Sequence, residues 1–118
     1  MRILADVLRE PGCGRGLVAG DFNDISPKDK GLVEENKLVD AWVKLHGATG
    51  ADGDTWSAGV QRNDGLQPGR LDKVVMVGLE PTEMKVLDPG LILVPKPGGE
   101  GDVIPLSDHC GLSCVFDI

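Results

Sequence analysis

Glycine and proline recur so often along this chain that no helix or strand in it can run far. Seventeen glycines and eight prolines among 118 residues interrupt nearly every apolar run, glycine by loosening the backbone and proline by removing an N–H donor. A fold under that constraint consists of short elements joined by many turns. Its core has to come from Val, Leu and Ile, because Phe and Trp supply two residues each and Tyr none. The length suits one domain with a modest core. The same punctuation keeps every apolar run too short to cross a bilayer. The opening Met1-Arg2-Ile3-Leu4-Ala5-Asp6 also lacks the apolar segment of a signal peptide. No membrane span and a location in the cytoplasm or nucleus are therefore expected.

Short elements can still be placed. Apolar residues at Ile3, Leu4, Val7 and Leu8 predict a helix over residues 2–10, stopped by Pro11-Gly12. It starts without an N-cap, as expected of a chain whose upstream portion is missing. Gly12 to Gly16 leads into Leu17-Val18-Ala19, which reads as a buried strand. A glycine-rich phosphate cradle would follow a strand instead of preceding one, so this stretch reads as a linker. A short helix is expected within residues 28–36. Residues 38–45 fit a helix slightly better than a strand. Residues 70–77 read as a strand, and residues 82–87 as its neighbour across the 78–81 connection. Residues 88–105 read as a long loop around a short apolar segment at 91–94, and residues 111–118 as the last strand.

Chemistry concentrates at three places. Gly20-Asp21-Phe22-Asn23 closes the first strand, where alternation would project Asp21 and Asn23 together and send Phe22 to the core. The plain reading is a turn in which Asp and Asn satisfy local backbone groups. The functional one has Asp21 orienting or deprotonating a water while Asn23 donates to a phosphate oxygen. A calcium loop starting at Asp21 fails, because Ile25, Ser26 and Leu32 stand where an oxygen ligand, a glycine and a glutamate are needed. Ser107-Asp108-His109 is too contiguous for a nucleophilic triad. Bracketed by Pro105 and Gly111, it reads as a loop able to bring Asp108 and His109 to one cavity, or as a strand entry with a partly buried His. Arg70-Leu71-Asp72-Lys73 offers Asp72 as the acceptor for the His109 Nδ1 proton, or merely as a surface carboxylate paired with Arg70 or Lys73. Trp56 is core or a wall of the cleft. His46 reads as a helix C-terminal residue.

The excess of 19 acidic over 12 basic residues, a net charge of −7, argues against a broad basic face for nucleic acid. It does not argue against phosphate chemistry, since carboxylates are what a magnesium site uses. Cys13, Cys110 and Cys114 form an odd set without a C-x-x-C pair and read as free thiols. A zinc site of His109 with Cys110 and Cys114 falls short of four well-spaced ligands.

Taken in order, Gly20-Asp21-Phe22-Asn23, Thr55-Trp56, Arg70-Leu71-Asp72-Lys73-Val74 and Ser107-Asp108-His109 resemble the C-terminal half of the endonuclease/exonuclease/phosphatase superfamily over almost the whole chain. Leu38-Val39-Asp40-Ala41-Trp42, Asp54-Thr55-Trp56 and residues 107–118 look most similar to its tyrosyl-DNA phosphodiesterase branch. The resemblance implies an α/β fold, the C-terminal half of a two-sheet, DNase I-like α/β sandwich, with one mixed sheet and flanking helices across residues 1–118. It implies magnesium-dependent hydrolysis of a phosphodiester, with manganese as a substitute and DNA among the possible substrates. Asp21 would position the water, Asn23 would bind phosphate, and Asp108 would lie at the metal. His109, oriented by Asp72, would stabilise the transition state, and Trp56 would line the cleft. Two departures stand out. The family's first half, with an Asn and the principal metal-binding Glu, has no counterpart, which would impair catalysis and leave a sheet uncovered for association. The branch also places an Arg where Ile25 stands. A lipid or inositol phosphate phosphatase of the same superfamily, and a non-catalytic remnant that binds a partner, are the alternative functions.

Overall fold

The computed structural model describes residues 1–12, 14–60 and 62–118. Ten short elements follow one another along them. Helix α1 (Arg2–Leu8) leads to strand β1 (Gly16–Asp21), helix α2 (Leu32–Glu35), strand β2 (Val39–Asp40) and helix α3 (Ala41–His46). Five strands complete the chain: β3 (Asp72–Val77), β4 (Glu80–Leu87), β5 (Leu91–Lys96), β6 (Gly99–Pro105) and β7 (Gly111–Asp117). The protein is thus mixed α/β but mostly strand. No described helix is long and apolar enough to cross a membrane.

Among the described residues the strands form three small sheets, ordered β1-β3-β2, β4-β7 and β5-β6, and every pairing is antiparallel. The expected single mixed sheet is not what forms. The reason lies in β3, whose two edges are occupied by β1 on one side and by Val39 and Asp40 of β2 on the other. Strand β4 thus meets an edge of β3 already paired at Val75 and Met76. It pairs with β7 instead, contrary to the neighbour relation expected for residues 82–87. Gly78, at φ 64°, makes the redirection possible, because a Cβ there would run into the Gly14 carbonyl oxygen.

Strand β3 is buried on both faces from Lys73 to Met76. Val75 joins Ala5, Leu8, Val33 and Leu38 in one core cluster, against which Val18 and Phe22 pack. On the other face Val74 and Met76 join Ala41, Trp42 and Met84, backed by Leu112, Cys114 and Phe116. Period-two alternation along one strand thereby divides the apolar interior into two halves. A bulge between Pro81 and Glu83 shifts the inward positions of β4 from odd to even, which brings Met84 inside.

Three expectations need correction. Strand β1 is not buried. It lies at the edge of its sheet, and Leu17 is 43% exposed. Helix α1 buries Ala5 and Leu8 and leaves Ile3 and Val7 in solvent, a rotation of the face its apolar pattern suggested. Residues 88–105 are not a long loop, because β5 and β6 form a ribbon. Its turn, Pro97-Gly98 with Gly98 at φ 75°, has the proline-then-glycine order that a type II turn favours. Pro95 is tolerated because each strand of a two-stranded ribbon has an unpaired edge. Both strands of the ribbon are exposed almost throughout. The radius of gyration, 17.1 Å, exceeds the about 13–14 Å of a compact domain this size.

Gly78→Ala should cost about 1–3 kcal/mol in urea unfolding, from clash and a left-handed backbone combined. Val103→Ser on the exposed ribbon should stay within about 0.5 kcal/mol of wild type. Equal losses for the two would contradict this division between core and ribbon.

Candidate active site

Asp21, the last residue of β1, lies directly opposite Asp72, the first of β3, in the antiparallel register. The two carboxylates therefore belong to one end of the strand pair. The chain leaves β1 through a turn, not by continued alternation. Asn23 takes φ 50°, a left-handed conformation Asn tolerates better than most residues. Its N–H donates to the Asp21 carboxylate at 2.8 Å, while the Phe22 N–H donates to the Leu71 carbonyl at 2.9 Å. Asp21 and Asn23 are brought together by this Asx turn, and Phe22 packs toward the core as alternation had suggested.

His109 arrives from the far end of the chain on the segment just before β7. Residues 55–57 form the splint that places it. Thr55 is fully buried. Its hydroxyl oxygen accepts the Leu71 and Asp72 N–H groups at 3.2 and 3.0 Å, and its carbonyl accepts the Cys110 N–H at 2.7 Å. The Ser57 N–H donates to the Asp108 carbonyl at 2.9 Å, and Trp56 bridges both Gly69 and His109. One short segment thus fixes the starts of β3 and β7 relative to each other. The Ser107 hydroxyl accepts the His109 N–H at 3.0 Å, so this serine caps its loop.

The outcome is a 2.7 Å contact between His109 Nδ1 and Asp72 Oδ2. With Asp72 ionised, Nδ1 carries the proton and Nε2 points away from the pair. The hydrogen bond to Asp72 raises the imidazole pKa above its ordinary value, helped by the negative charges of Asp72, Asp108 and Asp21 and opposed by burial. Neither Arg70 nor Lys73 neutralises Asp72. Arg70 pairs with Asp40 at 2.7 Å, and Lys73 pairs with Asp24. Asp40 also accepts the Trp42 and Val43 N–H groups, capping α3 and tying it to the start of β3.

Asp21, Asn23, Trp56, Arg70, Lys73 and His109 all line one open cleft of about 920 Å³. Trp56 is a wall of that cleft, half-buried, with the Arg62 guanidinium 4.7 Å from its ring centroid. Asp72 and Asp108 are not part of the lining, but each is bonded to a residue that is. The Trp56 indole N–H donates to Asp108 at 3.1 Å. Ile25, where the resembling branch has an arginine, also lines the cleft.

Among the described residues no group of three or more His, Cys, Asp or Glu side chains is arranged to hold a metal ion. Asp21 and Asp108 are both exposed carboxylates at this end of the molecule, and Asp108 is the one the resemblance would place at a metal. Magnesium commonly binds through one or two carboxylates, substrate phosphate and water, and one carboxylate is the minimum of that set. Cys110 and Cys114 are free, and burial raises the pKa of each thiol, so neither is a poised thiolate. Cys13 lies outside the described residues. His46 ends α3 and lies 3.1 Å from the Met84 carbonyl through Nε2. The contributions that sequence reasoning missed are the hub role of Thr55 and the Lys73–Asp24 pair. A threonine beside a tryptophan carries no chemical flag, and Lys73 read only as a possible partner of Asp72.

No family model matches this chain, and a search of curated proteins finds no match either.

The His109 pKa should lie above ~6.5 in a proton NMR titration, and Asp72→Asn should lower it. A raised pKa in the folded state stabilises the protein fully below pH ~6.5, and that gain disappears as pH rises through the folded pKa. Urea unfolding should therefore show wild type losing its advantage over His109→Gln as the pH increases. A wild-type imidazole pKa below ~6.5 would rule out the pair as drawn.

Proposed function

We propose that this chain carries the acid–amide and imidazole part of a phosphodiester hydrolase site, in the manner of the endonuclease/exonuclease/phosphatase superfamily. One observation supports it above all. Asn23 and His109, from opposite ends of the sequence, line one cleft with Asp21, while Asp72 stands behind the imidazole. A carboxylate, a carboxamide donor and an imidazolium around one open space suit in-line attack of water on a phosphate ester.

In that reading the Asn23 carboxamide donates to a non-bridging phosphate oxygen. The Asp21 carboxylate accepts a proton from the attacking water. His109, whose protonated form Asp72 favours, directs its Nε2–H at the charge growing on the phosphorus oxygens. The water oxygen–phosphorus bond forms and the bond to the leaving alkoxide breaks, and the alkoxide takes a proton from solvent, giving a phosphomonoester and an alcohol. Trp56 walls the cleft beside the leaving group. Magnesium, or manganese in its place, held through Asp108 and substrate oxygens, would supply further charge neutralisation when bound.

The finer architecture that goes with this reading is the C-terminal half of a DNase I-like sandwich. The branch it would resemble is the tyrosyl-DNA phosphodiesterases, and its substrate would be a DNA end or a related phosphodiester. Exposed Ile25 and the net charge of −7 favour a small contact with the ester itself over a broad grip on nucleic acid.

The test is magnesium-dependent hydrolysis of bis-p-nitrophenyl phosphate, a DNA 5′ end and a phospholipid head group by the wild-type chain. Asp21→Ala and His109→Ala should each lower the rate about 10²- to 10⁴-fold, and the rate should fall as pH rises through the His109 pKa. Activity confined to the lipid would move the assignment to the phosphatase alternative. Absence of activity in all three proteins would favour the partner-binding remnant.

A further inference from the structure

Lys73 is a lysine within the strand that both core clusters enclose. Alternation turns its side chain to the face opposite Asp72, and there its ammonium pairs with Asp24. The two side chains are only 9% and 16% exposed. Lysine is almost never buried without a partner. A buried ion pair is also a poor device for stability, since well-packed apolar side chains of similar volume often serve as well or better. What such a pair does supply is a defined position for its two ends.

Asp24 directly follows Asn23. The turn that carries Asn23 is tethered by the Phe22 N–H on the Leu71 carbonyl and by the Asn23 N–H on Asp21. Past Asn23 the Ile25 N–H donates to the Asn23 carbonyl at 2.9 Å, a bond within the turn that does not reach β3. Asn23 holds a left-handed backbone, φ 50°, which Asn adopts more readily than most residues but which is sparsely populated overall. The Lys73–Asp24 pair grips the far side of that residue. It ties the turn to β3 one position away from Asp72, the residue that orients His109.

We propose that Lys73 is a positioning residue: acting through Asp24, it holds the Asn23 carboxamide on the cleft wall where an anionic phosphate oxygen facing His109 can reach it. The consequence for binding rests on the phosphate reading of the cleft, whereas the tether does not. Because the ammonium is already engaged by Asp24, Lys73 acts on the turn and not on the anion directly.

The experiment has two readouts on the whole chain. The first is amide hydrogen exchange in wild type, Lys73→Met, Lys73→Arg and Asp24→Asn. Exchange at Asn23 and Ile25 should accelerate about tenfold or more in Lys73→Met and Asp24→Asn. Val75 and Met76 should stay protected, and Lys73→Arg should resemble wild type. The second is binding of inorganic phosphate, followed at the His109 ring by NMR. Asn23→Ala should weaken it about tenfold. Lys73→Met should weaken it by a similar factor, and the double variant should be no weaker than Asn23→Ala alone. Unchanged exchange at Asn23 in both tether variants would overturn the proposal, and Asp24→Asn decides the matter if Lys73→Met does not fold. Losses that multiply in the double variant would also overturn it, since Lys73 would then act on the anion independently. Wild-type phosphate affinity in Asn23→Ala would refute the phosphate reading of the cleft, while the exchange data would still decide the tether.

Discussion

Both edges and both faces of β3 are occupied, and the rest of the molecule is arranged by that fact. β1 and β2 take its hydrogen-bonding edges, and the two core clusters take its faces. A strand enclosed this way cannot slip register, because a shift of one residue would exchange every side chain between the two halves of the core. The polar consequence is as strict as the apolar one. Asp72 is delivered to His109 on one face, and Lys73 to Asp24 on the other.

The site is assembled at the ends of elements, where backbone groups are still unpaired. Thr55 uses a hydroxyl and a carbonyl to satisfy N–H groups of three residues from two distant segments. It thereby does for loops what a ladder does for strands. Around the imidazole that results, three carboxylates raise the proton affinity of one ring. Arg70 pairs with Asp40 and Lys73 with Asp24, so neither of these neighbouring cations engages Asp72. That separation allows Asp72 to act on His109.

Much of this was legible in the residues, element by element. The helix expected over 2–10 forms as α1 but already ends at Leu8, before Pro11-Gly12, and the apolar spacing of residues 38–45 anticipated α3, although Val39 and Asp40 became β2. Asp72 was readable as the acceptor for His109, because a carboxylate on a strand and an imidazole in a loop make a recognisable pair. Other features were hidden for identifiable reasons. Leu17-Val18-Ala19 looks like a buried run, yet apolar character says nothing about whether a neighbour covers it. The ribbon of β5 and β6 was masked by its prolines, which forbid a central strand but not an edge. Thr55 carried no signal, since its role comes only from what surrounds it.

Local chemistry, then, belonged to the sequence: where elements stop, which side chains can titrate or donate, and that Asp21 and Asn23 would sit together. These follow from backbone sterics and side-chain functional groups, which act over a few residues. The tertiary structure decided the partners. That β4 turns away from β3 to pair with β7, and that His109 meets Asp72 instead of solvent, depends on which edges and faces were already taken. Competition for those edges and faces is a property of the packed whole, and no stretch of the chain encodes it alone.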